Sequence, residues 1–179
     1  MSFFHRNKIG STAINYTYYQ KKNKTFFEQL LGLFVLLSIC LSFYLISGSI
    51  TQFSFGYSKF SPLPLLIIEP LYLIGWSTFY FFLGNSMWLI WRQFSTRSLF
   101  LEVFLFCLQL IFSLFWMVSF TKTNIHTLSL INVLFLVSLL MITLLIHWKK
   151  SKTSGMLVFI CISWLFCIEI MNLQVCTLT

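Results

Sequence analysis

Residues 76–92 read WSTFYFFLGNSMWLIWR, apolar enough to cross a membrane yet far from plain aliphatic filler. At about 100° per residue, Trp76, Ser77, Tyr80, Gly84, Trp88 and Trp91 fall within an arc of roughly 120° on one helix face. Hydrocarbon asks for no such stripe, because Leu, Ile, Val and Phe satisfy it. Indoles, a hydroxyl and a glycine on one face point to contact with protein or with a ligand. For Trp88 and Trp91, close to Arg92, helix packing and an interfacial Trp belt are the alternatives.

The rest of the chain shares this character. Its 179 residues are 58% apolar, 20% aromatic and 9% charged, against roughly 25% charged in soluble proteins, so it reads as an integral membrane protein. Apolar runs of about 18 residues or more occur at 26–47, in a long run ending at 91, and at 99–120, 128–148 and 155–175. Counted from Leu63, the long run would extend about 43 Å as one helix at 1.5 Å per residue, too long for one untilted span and too short for two. Pro62, Pro64 and Pro70 punctuate its start. They predict a loop through Pro64, a short turn or re-entrant piece, and a regular helix from near Pro70. The connections are short, so the expected fold is all-α: a basic tail over 1–25 and one five-helix transmembrane bundle over 26–176.

Charge placement agrees with five spans. The net charge is +8, with twelve Lys and Arg against four acids, all of them Glu. Arg6, Lys8, Lys21, Lys22 and Lys24 precede the first span; Arg92 and Arg97 follow the second; Lys149, Lys150 and Lys152 follow the fourth. Only Lys59 and Lys122 occupy the other gaps, which orients the N-terminus to the positive side. Anionic lipid headgroups are the expected partners of these edge charges. Nucleic acid is not, because no soluble scaffold presents them. The first 24 residues are loosely transit-like, basic and free of acids, but hold one Arg and no clear amphipathic period. They read as a tail, with an import signal as the lesser alternative.

Cys40, Cys107, Cys161, Cys167 and Cys176 lie mostly within spans without CxxC or Cys/His spacing, and read as small buried apolar residues. His5, His126 and His147 are scattered, so neither a metal site nor a cofactor is expected. No nucleophile stands at useful spacing from a base, and no phosphate loop is present, so the chain does not read as an enzyme.

Other spans carry polar stripes of their own. Glu102, Phe106, Gln109, Ser113 and Trp116 follow spacings of four, three, four and three, which puts them on one face. Ser129, Asn132, Thr143 and His147 fall within an arc of about 60°. Cys161, Trp164, Ile168 and Asn172 share a face, with Glu169 on its border. Lipid penalises such faces, so they should converge inside the bundle, either gluing helices together or lining a cavity. A carboxylate at Glu169 should be protonated, paired or near water.

These residues resemble the TspO/translocator protein family, the tryptophan-rich sensory proteins or peripheral-type benzodiazepine receptors. Residues 84–92, GNSMWLIWR, are similar to its M-G-x-S-x-W-L-V-W-R segment, and Trp76 and Tyr80 match the approach to that glycine. Gln109-Leu110 with Trp116 and Phe120, Trp164 with Phe166 and Asn172, and Lys59-Phe60-Ser61-Pro62 resemble further family segments, so the likeness covers about 59–172. Departures are visible. Ile74, Met117 and Val118 stand where the family has prolines, and Ile160-Cys161 replaces a proline-tyrosine pair. Asn132 stands for a common aspartate and Ser113 for an asparagine, and the segment from Pro64 to Trp76 is longer than usual. Leu173 to Thr179 lacks the Tyr and basic residue of the sterol-recognition pattern. Fewer kink prolines imply straighter helices and a narrower or filled cavity.

The resemblance implies binding of hydrophobic or amphipathic ligands such as a porphyrin or sterol. Trp76, Tyr80, Trp116 and Trp164 would form the wall, while Gln109, Ser77 and Asn172 orient polar substituents. A TspO-like accessory subunit of a larger membrane complex, with ligand binding lost, is the rival. A free receptor would be a monomer or homodimer, and a mitochondrial membrane is the expected location.

Overall fold

The computed structural model describes residues 24–54, 65–94, 96–122 and 126–178, with side chains in 24–49, 73–94, 98–119 and 128–170. Five long helices follow one another: α1 (Phe26–Ser54), α2 (Leu65–Gln93), α3 (Phe100–Lys122), α4 (His126–Lys150) and α5 (Lys152–Leu178). A single 3-10 turn, Thr96–Leu99, leads into α3. The basic tail and the segment with Lys59, Pro62 and Pro64 lie outside the described residues.

Local chemistry marks the helix ends. At the head of α1, Thr25 Oγ1 accepts from the Glu28 N–H (3.3 Å), and the Glu28 carboxylate accepts from the Thr25 N–H (2.9 Å). This reciprocal cap satisfies two otherwise unpaired donors. Between α4 and α5 the chain reverses on Ser151 alone, whose N–H donates to the His147 carbonyl (2.7 Å). Gly155 makes so tight a hairpin fit, because a β-carbon there would stand 2.7 Å from Trp148 Cε3 and 3.1 Å from its Cα.

One sequence expectation is corrected at α2. The helix starts at Leu65, not near Pro70, and runs 29 residues to Gln93. Pro70 lacks the N–H that would have bonded the Leu66 carbonyl, yet the chain continues helically past it.

Four helices, α1, α3, α4 and α5, are long and apolar enough to cross a membrane. The described part of α2 falls short because Trp, Tyr, Ser, Asn and Gly dilute its aliphatic residues. Its position accounts for that composition. The principal helix contacts run α1 to α2, α2 to α5, α5 to α4, α4 to α3 and α3 to α1, which closes a ring in the order α1, α2, α5, α4, α3.

The ring surrounds one core of Trp76, Phe79, Tyr80, Leu83, Met87, Phe106, Leu110, Trp116, Met117, Leu136, Leu140, Cys161, Leu165 and Ile168. Its outer surface is just as apolar: Phe26, Phe34, Phe100, Phe104, Phe159 and Phe166 are exposed. Inside and outside being equally greasy, close van der Waals fit and interhelical hydrogen bonds hold the ring, not transfer out of water. Cys107 and Cys167 belong to the outer surface, a correction to their expected burial. Cysteine is small and apolar enough to face hydrocarbon.

Candidate functional site

α2 and α5 run antiparallel in one register. Ser86 meets Ser154, Phe79 meets Cys161, and Gly75 meets Trp164, so contacts step up one helix as they step down the other. Three layers of chemistry follow from the positive edge inward.

At the edge, Trp88 and Trp91 are helix clamps. The Trp88 indole N–H donates to the Gln29 carbonyl (2.8 Å), and the Arg92 guanidinium stands over the Trp88 ring at 4.8 Å. The Trp91 ring lies on Gly32 of α1, and Lys24 covers it while donating to the Trp91 carbonyl. Across the bundle, Lys150 pairs with Glu102, both nearly enclosed.

One layer deeper lies a polar knot. His147 Nδ1 is 2.8 Å from Ser86 Oγ and 2.9 Å from Ser154 Oγ, joining α4, α2 and α5. Gln109 Nε2 donates to Thr143 Oγ1 (2.6 Å) between α3 and α4. Far from this knot, near the opposite end of α4, Asn132 donates to the Phe112 carbonyl (2.9 Å). Every residue of the α3 stripe, Glu102, Phe106, Gln109, Ser113 and Trp116, is buried, as are Ser129, Asn132, Thr143 and His147 of α4.

At the centre the aromatic residues gather. Trp76 and Trp116 lie with ring centroids 5.2 Å apart and planes inclined by 30°. Phe79 meets Trp76 edge-on at 5.3 Å, and Tyr80 lies 5.9 Å from it. The Tyr80 hydroxyl pairs with Ser113 Oγ (2.9 Å), tying α2 to α3. Beside this group the half-buried Trp164 indole rests on Gly75, where a β-carbon would stand 2.0 Å from Cη2. Only a glycine admits that approach.

The structure thus brings Tyr80 and Trp116 each against Trp76, sets Trp164 beside them, and places Gln109 in the polar layer. The side chain of Asn172 lies outside the described ones. Ser77 is corrected: it is exposed and donates to the Ile74 carbonyl one turn back (2.8 Å). Among the described side chains of α2 the buried ones are Gly75, Trp76, Phe79, Tyr80, Leu83, Gly84, Ser86, Met87 and Ile90. Their arc is rotated by about 70° from the expected stripe. Ser86 is marked in the sequence only as the serine of the matched 84–92 segment, and Ser154 carries no signal beyond being a small hydroxyl within an apolar run.

Comparison with known proteins identifies the family. Residues 34–178 match the model of the TspO/MBR family, which adds most of α1 to the likeness seen in the sequence. Translocator protein 2 of Canis lupus familiaris is 31% identical over 96 residues, 52% of this chain and 56% of that protein. The chain therefore spans about half the length of this curated relative. No solved structure matches. With the family match extending from α1 through α5, this multi-pass membrane protein belongs to the TspO/MBR family.

Proposed function

We propose that the chain binds a flat, mainly apolar small molecule, of porphyrin or sterol kind, where Trp164 meets Gly75 and the Trp76–Trp116 pair. Binding, without chemical conversion, is its role in this reading. The observation that carries it is Trp164: its Nε1 is enclosed and has no hydrogen-bond partner among the described residues. An enclosed N–H without an acceptor costs about 1–3 kcal/mol. A ligand with a carbonyl, carboxylate or hydroxyl oxygen supplies that acceptor, while neighbouring indoles offer faces for a flat ring. Because Trp76 and Trp116 touch, an occupant lies beside the pair or parts it.

The test is a titration of the purified protein with protoporphyrin IX, read by Trp quenching and by pigment absorbance. Trp164→Leu is expected to weaken binding by about tenfold, the equivalent of 1.4 kcal/mol, with the melting temperature retained. Equal affinity in that variant, or no saturable binding by the unaltered protein, sinks the reading.

The filled centre of the ring supports a second reading: an accessory subunit of a larger, mitochondrial membrane complex. Gentle extraction from mitochondrial membranes followed by native mass analysis separates the two. Stoichiometric retention in a large assembly favours the subunit; a monomer or homodimer favours the receptor. Recovery outside the mitochondrial fraction removes the proposed location.

A further inference from the structure

The polar layer contains more acceptors than the described residues satisfy. Thr143 Oγ1 donates its hydrogen to the Leu139 carbonyl (2.9 Å), so it can only accept from Gln109. That orients the Gln109 amino group toward Thr143 and leaves Gln109 Oε1 enclosed with no partner among the described residues.

The hydrogens at His147 can be counted in the same way. Ser154 Oγ reaches the Ser86 carbonyl (2.9 Å) and Ser86 Oγ reaches the Ser154 carbonyl (3.1 Å). With both hydroxyl hydrogens used there, a hydrogen on His147 Nδ1, shared between the two oxygens, serves both imidazole contacts, and the 2.9 Å contact between Ser86 Oγ and Ser154 Oγ is left without one. Nε2 is then a bare acceptor, enclosed and with no partner among the described residues. Glu102 Oε2 is in the same state, its sister oxygen being occupied by Lys150.

His147 Nδ1 is directed to α2 and α5, and Nε2 lies across the imidazole from it. Since α4 is flanked chiefly by α5 and α3, an enclosed Nε2 turned from α5 faces α3. Helical side chains lean toward their own N-terminus. In this antiparallel pair Gln109 therefore leans toward the positive edge and His147 away from it. Gln109 is held at Thr143, one turn from His147 on the same face, so the amide and the imidazole approach the same level.

We propose that the α3–α4 seam binds an internal water that donates its two hydrogens to His147 Nε2 and Gln109 Oε1, with Glu102 Oε2 toward its outer end. Enclosed polar atoms are rarely left bare, and buried waters characteristically serve two to four of them. Water fits this set because two acceptors need two hydrogens from one small molecule.

The test uses the full chain in lipid nanodiscs, in an amine-free buffer, with ¹⁵N-labelled histidine. His5→Gln and His126→Gln leave His147 as the only ring signal. The expected spectrum has Nδ1 protonated, Nε2 unprotonated but shifted by an accepted hydrogen bond, and a cross-peak between the His147 ring and water. Gln109→Leu is expected to remove the water cross-peak and keep Nδ1 protonated. A proton on Nε2, whether as the other tautomer or as imidazolium, overturns the proposal, as does an Nε2 without water contact in the unaltered protein.

Discussion

Trp91 and Gly32 are pressed together at the positive edge: a β-carbon on Gly32 would lie 2.1 Å from Cζ3 of the Trp91 ring. The ring cannot simply swing aside, because Lys24 covers it and holds the Trp91 carbonyl. Gly32→Val is therefore expected to wedge α1 from α2 and cost about 1–3 kcal/mol, the usual range for overfilling a fitted contact. Adding Trp91→Ala should recover much of the loss. A thermal melt in detergent for both single variants and the double variant measures the coupling; strict additivity would contradict the contact.

The pairing of Glu102 with Lys150 leaves the two side chains only 4% and 6% exposed. Removing one charge strands the other in a poorly solvated place. Glu102→Gln should cost about 3–5 kcal/mol, whereas Glu102→Leu combined with Lys150→Met should come close to the original stability. Unfolding of these variants in a graded denaturing detergent checks the order. If the double variant were the least stable, the pair would be a net stabiliser.

Tyr80 separates hydrogen bonding from packing. Its hydroxyl meets Ser113, while its ring touches Trp76 and Phe79. Tyr80→Phe removes only the first, an effect of about 0.6 kcal/mol by analogy with other membrane-embedded bonds. Tyr80→Ala opens a cavity beside the indole pair and should cost about 3–5 kcal/mol. Matching melting temperatures for the two variants would mean that the ring contributes little.

At the α4–α5 hairpin the obstruction is partly backbone. The added methyl of Gly155→Ala would meet the Cα of Trp148 at 3.1 Å, which no rotamer change relieves. The reversal at Ser151 must widen, and hydrogen exchange of residues 147–155 should quicken. Gly48→Ala is the comparison, because nothing lies within 4 Å of its missing β-carbon. Equal exchange in both variants would argue against a tight hairpin.

Parts of this arrangement were legible from residue spacing. Glu102, Gln109 and Ser113 on α3, and Asn132, Thr143 and His147 on α4, were read onto inward faces and are buried. A polar side chain has a strong reason to avoid hydrocarbon, so its position reports the interior. α2 is harder to read because its interior includes Phe79, Leu83, Met87 and Ile90, residue types equally at home in lipid. Its aromatic stripe drew the eye toward Ser77, which satisfies its hydroxyl on its own backbone and needs no interior. The pairing of Ser86 with Ser154 is not legible in the sequence because it depends on α2 lying beside α5, an adjacency between distant parts of the chain. Trp76, Tyr80 and Trp116 are grouped by the family resemblance and are all buried, with Trp116 against Trp76; that Phe79 joins them is visible only in the fold.

The ring order has a consequence in time. The contacts of α1 with α2, α3 with α4, and α4 with α5 join consecutive helices, but α2 reaches α5 only after α3 and α4 have been made. A chain emerging N-terminus first therefore carries Gly75, Phe79 and Ser86 into the bilayer well before Trp164, Cys161 and Ser154 exist to cover them. The last helix is the keystone of the ring, and until its arrival the most aromatic helix must keep company with lipid or with a chaperone.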